Sequence, residues 1–540
     1  LKSFLLSLSL LLFCSFHPES EHFDLIIRNG KIYDGFGKAP YLADVGIRAD
    51  TIAFIGDLKK ATAKKELNAQ GLAVAPGFIN MLSWAGESLV KDGRSMSDIK
   101  QGVTLEIFGE GWSPAPRTRT KTYNWSTINE YFNYLEQKGV SPNFGTFVGA
   151  TTVRSLVIGN ENRKPDSLEL IQMKKLVEQA MKDGAMGVGS SLIYAPADYA
   201  STEELIELCK VASRYGGMYI THMRSESDKI YTALNEVFTI SKTAQIPAEI
   251  YHLKINNTWN WNKVDTVLFK IDSAQKTGLK ITANMYTYNA SGTGLVARLP
   301  TWVQNGGGEK MRQRLKDPEV RKKVIRDLEL GIPSRNSDPK DVMIMGFRSD
   351  SLNQLYKGKR LSEISSLHGK NSNETMIDLI IADRSEIPSI FFLISEENVK
   401  RMLRLPFVSI CSDAGSAAAE KPFTDQGAHP RQYGSFARLL GKYVREEKLM
   451  TLEEAIRRLT SLPASNLKLK KRGSLQVGNF SDIVIFNPAT IRDNATFQNP
   501  HQYASGVLHV IVNGVVVLKD GEHTGAMPGR AIKGPGFSIY

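Results

Sequence analysis

Four residues of types that hold metal ions or move protons each close a short apolar run: Glu110 after "VTLEIFG", His222 after "GMYIT", His252 after "PAEIY" and Asp413 after "PFVSICS". Short apolar runs bounded by glycine or proline read as buried strands. Two imidazoles and one carboxylate make a common zinc set, which leaves a position for water whose pKa the ion lowers to about 7. A histidine alone at a strand end is commonly a packed core residue, but two at the ends of adjacent strands face one cavity. Glu110 is the natural third ligand beside His222 and His252; the alternative is a turn residue in "FGEGWSPAP" bonded to neighbouring amides. Asp413, in "ICSDAG", is placed to take a proton from water and pass it to a leaving nitrogen, and otherwise reads as a helix N-cap. Lys254 stands two residues beyond His252, on the same face of the strand end, where a cation suits a substrate carboxylate; a solvated loop lysine is the other reading. His429, in "GAHPRQYG", follows Asp413 on a loop within reach of such a site.

The elements that must position these groups are legible in the pattern. Strand-like runs "GFINML", "VTLEIFG", "NFGTFVG", "AMGVGSS", "GMYITH", "PAEIYHL", "LKITANMY" and "PFVSICSD" alternate with amphipathic helices. Eight such units predict a (β/α)8 barrel, whose reactive groups converge at the C-terminal ends of its strands. In one unit Leu168, Ile171, Leu176, Val177 and Ala180 recur at helical spacing and Gly184 ends the helix; the next opens with a capping box of Ser201 and Glu204. Short alternating runs with Asn-Gly and Asp-Gly joints occupy residues 23–75 and 470–540, and predict one small β-sandwich built from both termini. The α/β barrel then spans 76–469, with an insertion at about 296–400 over its mouth.

The chain has 540 residues, of which 42% are hydrophobic and 23% charged, so it can bury a large core. Its net charge of +12 is dispersed rather than gathered into a basic stripe, which argues against nucleic-acid binding. Three scattered cysteines exclude a disulfide framework. The opening "LKSFLLSLSLLLFCSFHPES" places a lysine before an apolar run too short to span a bilayer, so residues 1–22 read as a signal peptide and the expected location is periplasmic or otherwise exported. Cys14 after "LLF" is the alternative, a lipid anchor in a bacterial envelope, although Phe13 stands where a small residue is required.

In order along the chain, "IIRNGKIYDG", "APGFIN", "QGVTLEIFGEG", "GAMGVGSSLIYAPADYAS", "YITHMRSESD", "IYHLK", "MYTYNASGTGL", "SDAGS" and "HPRQYGSFARLLGKYVRE" resemble the D-aminoacylase (N-acyl-D-amino-acid deacylase) branch of the amidohydrolase superfamily. The resemblance implies a TIM-like barrel beside a small β domain, and a zinc-dependent removal of the acyl group from N-acyl-D-amino acids. It assigns His222 and His252 to the tight metal site, Asp413 to the catalytic aspartate, and Lys254 with Tyr286 to the substrate carboxylate. The family's serine falls near Ser291, and Tyr194 and Arg224 lie in matching segments counted with the substrate-binding set.

Two departures stand out. The family pattern carries His-x-His after the first strand, where this chain has Leu82, Ser83 and Trp84; and Glu110 replaces a cysteine ligand. The first removes the ligands of a second metal position, and the second exchanges thiolate for carboxylate, as in related mononuclear amino-sugar deacetylases. The expectation is therefore one zinc ion and a small N-acyl amino acid substrate. A D-dipeptide, a cyclic amide, an amino-sugar amide, or a decayed barrel that only binds remain the alternatives.

Overall fold

A computed structural model describes residues 22–331 and 337–539; the expected signal segment and Cys14 lie outside the described residues, apart from His22. Among the described residues no helix is long and apolar enough to cross a membrane.

Eight parallel strands form the barrel, in the runs read from the sequence: β1 Phe78–Asn80, β2 Val103–Phe108, β3 Asn143–Thr146 continued by Val148–Gly149, β4 Gly187–Ser191, β5 Met218–His222, β6 Ala248–Ile250, β7 Ile281–Met285 and β8 Val408–Ile410. Pairing runs in order, β1 to β3 in one sheet and the end of β3 through β8 in another. The ring closes where Asp413 N donates to Leu82 O (2.9 Å) and Met81 N to Ile410 O (3.4 Å). Asn80 reinforces that seam: its Nδ2 donates to Ser412 Oγ (2.8 Å) and Asp98 Oδ1 (3.2 Å), and its Oδ1 accepts from Ser412 N (3.0 Å). The residue beside Asp413 is thus clamped to the first strand by a fully buried amide.

The helices alternate with the strands as expected, with two local corrections. Helix Ser167–Asp183 ends at Gly184 in the left-handed conformation, but it buries Met173, Val177, Ala180 and Met181, while Leu168 and Ile171 are exposed. Those two lie on its first turns. Helix Thr202–Arg214 is capped by Ser201, which accepts from Glu204 N. The Glu204 carboxylate does not close the box; it forms a buried ion pair with Arg154 (2.5 Å), because a buried guanidinium demands a partner more strongly than an exposed amide does.

The small β domain is assembled from both ends of the chain, joined by the antiparallel pairing of Ile483–Phe486 with Ala73–Pro76. Its nine strands share one branched network in which His22–Ile32 pairs with both Thr62–Asn68 and Ala73–Pro76. A register shift between Ile27 and Gly30 bends that strand, so that Ile52, Leu67 and Ile483 from distant strands pack in one core. The last strand ends at His523, and the segment beyond it leaves the domain: Gly529 N bonds Val140 O, Ile532 N bonds Phe144 O and Gly534 N bonds Gly184 O along the base of the barrel. The β domain is therefore shorter at its C-terminal end than the sequence suggests.

The insertion begins at Ser291, earlier than expected, as a three-stranded antiparallel sheet of Ser291–Gly294, Val342–Ile344 and Pro388–Phe391 with its own apolar core. It ends before helix Glu396–Leu403, whose Val399, Met402 and Leu403 pack in the main core.

One buried group near the seam carries a pH signature. Burial, then the charge of neighbouring Glu106, hold Asp98 well above the ordinary carboxyl value, while hydrogen bonds from Ser97 and Asn80 oppose them. A carboxyl raised in the folded state contributes stability below its unfolded value, near pH 4, and loses it as pH rises through the folded value. Asp98→Asn is therefore expected to gain stability relative to the wild type as pH rises from about 5 to 8. Urea midpoints across that range check this, and a pH-independent difference contradicts it.

Candidate active site

Glu110, His222 and His252 meet at the C-terminal mouth of the barrel, all three at least 98% buried. Glu110 sits between Gly109 (φ 108°) and Gly111 (φ 70°), a left-handed pair that turns the chain sharply off β2. A Cβ on Gly109 would strike the Phe147 carbonyl and one on Gly111 would strike Ser191, so only glycine fits beside the carboxylate at either position. His222 closes β5, and His252 follows β6 with φ 35°, a strained value for histidine held by the bond from its backbone N to Asn284 Oδ1 (2.8 Å) on β7.

Glu110 Oε1 lies 2.9 Å from His222 Nδ1 and 3.3 Å from His252 Nε2. The three donor atoms fall within 4.8 Å of one another, a separation a small cation can bridge. Burial disfavours the Glu110 charge, but hydrogen bonds from both histidines and their charges overcome it and lower the carboxyl to about 2. Burial, and then the nearby His252 charge, lower His222 to about 4 against the pull of Glu226 and Glu110. Burial and the Lys254 charge oppose a proton on His252, but Asp413, Glu226 and Glu110 raise its pKa, so a bound cation would displace that proton; one carboxylate and two imidazoles this close are a donor set that divalent cations take. The residues therefore fit a divalent cation.

A second carboxylate, unforeseen from the sequence, backs this set. Glu226 Oε1 lies 3.1 Å from His252 Nδ1 and 3.5 Å from His222 Nε2, behind both rings, and accepts from Lys254 Nζ at 2.5 Å. Burial opposes its charge, but His222, Lys254 and His252 hold it well below the usual carboxylate range. One carboxylate thus lies within ion-pair distance of both imidazoles, and closest to His252. Its place in the polar run "RSESD" resembles a solvated turn, which is why the sequence does not announce it.

Asp413 (φ 49°) lies 4.0 Å from His252 Nε2. Its Oδ1 accepts from Trp84 Nε1 (3.1 Å) and its Oδ2 pairs with Arg431 (2.8 Å), so both oxygens are aimed by neighbours. Arg431 was the other group not identified from the sequence as part of the site. The "HPR" motif pointed to His429 instead, but its Nε2 donates to Ala290 O and its Nδ1 accepts from Arg431 N, both at 3.0 Å. His429 is a brace for the Arg431 backbone.

These groups open on a cavity of about 710 Å³ lined by Glu110, His222, His252, Lys254, Asp413, Tyr194, Ser291 and Arg431 among others. The Ser291 hydroxyl is buried without a hydrogen-bond partner. Lys254 reaches the cavity wall, and its Nζ also lies 2.7 Å from His252 Nδ1, so its charge is shared with the metal-ligand network. Two expected substrate contacts do not line it. Tyr286 is buried behind the wall with Arg431 over its ring, 4.7 Å from the centroid. Arg224 pairs with Glu236 (2.9 Å) and donates to Asp198 O and Ala200 O, tying down the loop after β4, because three acceptors within reach outside the cavity satisfy its guanidinium fully.

The position of Glu226 yields a specific expectation. Glu226→Gln is expected to weaken Zn²⁺ or Co²⁺ binding about 10- to 100-fold, measured by competition with a chelating dye while circular dichroism stays native. Unchanged affinity contradicts its orienting role.

Known proteins carry the same organisation. Residues 360–518 match the model of the amidohydrolase family. The chain is 32% identical to D-aminoacylase of Alcaligenes xylosoxydans xylosoxydans over 95% of its length and 98% of the relative's, and 30% identical to N-acyl-D-glutamate deacylase of the same organism over 95% and 97%. It superposes with a TM-score of 0.80, at 28% identity over 95% and 100% of the chains, on the N-acyl-D-glutamate deacylase of Bordetella bronchiseptica, whose crystal structure holds zinc and a phosphonate mimic of the tetrahedral intermediate. With the barrel fold shared and identity of 30% or more running over nearly the whole of both chains, the chain belongs to the D-aminoacylase branch of the amidohydrolase family, enzymes that hydrolyse amide C–N bonds.

Proposed function

We propose that the protein removes the acyl group from N-acyl-D-amino acids, using a single zinc ion held by Glu110, His222 and His252. The observation that carries this reading is the convergence of those three buried side chains beside an Asp413 whose two oxygens are both held. Zinc in that position supplies Lewis acidity, polarising the acyl oxygen and lowering the pKa of water. Asp413 accepts the proton of the attacking water as the C–O bond forms, and delivers it to the amide nitrogen as the C–N bond breaks. Trp84 and Arg431 keep its lone pairs directed through both transfers. The cations of Arg431 and Lys254 and the open Ser291 hydroxyl gather on one side of the cavity, and suit the carboxylate of the amino acid.

The single-ion count rests on the first strand. Leu82 is fully buried and carries no donor, and the indole N–H of Trp84 is committed to Asp413, so neither offers a ligand for a second ion. The D-configuration rests on the named activities of the relatives. Export through the segment 1–22, or anchoring at Cys14, belongs to the same proposal and is supported by the apolar run alone.

Initial rates on paired N-acetyl-D- and N-acetyl-L-amino acids with added zinc test the substrate: the D-series is expected to be cleaved, and cleavage of the L-series alone, or of cyclic amides alone, overturns the assignment. Asp413→Asn is expected to lower kcat by about 10²- to 10⁴-fold with KM little changed. An Asp413→Asn rate equal to wild type removes Asp413 from the reaction.

A further inference from the structure

A second cavity of about 630 Å³ opens beside the first, over the loops that follow β1, β2 and β3. Trp84 and Trp112 line both, so these two indoles stand at the boundary between the cavities. The far walls are Pro114, Tyr123, Trp125 and Leu156. Trp84, Trp112 and Leu156 are 41%, 45% and 41% exposed, large apolar groups left open to water in a concave surface. A cleft of that kind marks a ligand. Its walls are rigid: Trp84 is pinned by Asp413, Trp125 Nε1 donates to Pro114 O (3.0 Å), and the Arg117 guanidinium lies 3.8 Å from the Tyr123 ring centroid.

We propose that this cleft receives an extended apolar acyl chain, making the enzyme a deacylase of long-chain N-acyl amino acids. The inference rests on the reading above and follows from direction. Lys254 and Ser291 follow β6 and β7, across the ring from β1 to β3 over which the cleft lies, and the Glu110, His222 and His252 cluster draws on strands of both sides. A trans amide sends its acyl carbon and its Cα to opposite ends. An amino acid anchored at the first group therefore directs its acyl chain between Trp84 and Trp112. The volume exceeds what an acetyl group requires, and each methylene buried there contributes about 0.8 kcal/mol.

The test compares the zinc-loaded enzyme on N-acetyl, N-butanoyl, N-octanoyl and N-dodecanoyl derivatives of one D-amino acid. The expected result is a rise in kcat/KM of about threefold to fourfold per methylene until the cleft is full. Leu156→Arg, on the exposed face of helix Ala150–Ile158, is expected to flatten that rise, and Trp112→Ala is expected to reduce it. A profile that is flat or falls beyond acetyl, or a steep one that neither variant changes, overturns the proposal. Tryptophan fluorescence titrations of the Asp413→Asn enzyme with the N-acetyl and N-octanoyl compounds separate the two readings. Tighter octanoyl binding that Leu156→Arg abolishes supports the cleft even where no hydrolysis occurs, and equal binding of the two compounds overturns it.

Discussion

The site depends on one constraint: the Glu110 carboxylate carries a charge at a buried position in the barrel mouth. An ionised carboxylate in such surroundings costs several kcal/mol unless donors surround it. His222 and His252 supply those donors from one side, and a divalent cation held between the three would supply a stronger positive charge in the same place. The remaining geometry follows from keeping these partners fixed. Glu226 sits behind the His252 ring, Lys254 balances Glu226, and Asn284 holds the His252 backbone in a conformation that a free chain avoids. Removing any one of them leaves a buried charge or a strained residue without its support.

The departure after the first strand has a structural answer. Where the family resemblance implies His-x-His, this barrel has a buried hydrocarbon at one position and, at the other, an indole whose N–H bonds Asp413. Loss of a ligand and gain of a positioning donor are one change seen from two sides. Trp84 also presents its ring to the neighbouring cleft, so the same residue joins proton transfer to the space proposed for the acyl group.

Much of this was legible in the sequence. The eight strands stand out because each is a short apolar run with a glycine, proline or amphipathic helix beside it, and the four reactive residues stand out because they end such runs. The small β domain was legible in its Asn-Gly and Asp-Gly turns. Side-chain direction in the loops was not. Glu226 and Arg431 lie in polar runs whose residues read as solvated until tertiary packing buries them, whereas Arg224 and Tyr286 lie in matching segments yet face other partners. The amphipathic pattern of helix Ser167–Asp183 does not distinguish Leu168 and Ile171, which are exposed on its first turns, from Val177 and Ala180, which are buried. The C-terminal segment was assigned to the β domain by proximity in sequence, although its backbone bonds run to the base of the barrel.

Metal stoichiometry tests the proposed centre most directly. Protein dialysed against trace zinc and analysed by mass spectrometry of the metal is expected to hold one ion per chain, and Glu110→Ala treated alike is expected to hold none. Two ions per chain in the wild type, or one ion retained after Glu110→Ala, would contradict a single centre completed by Glu110.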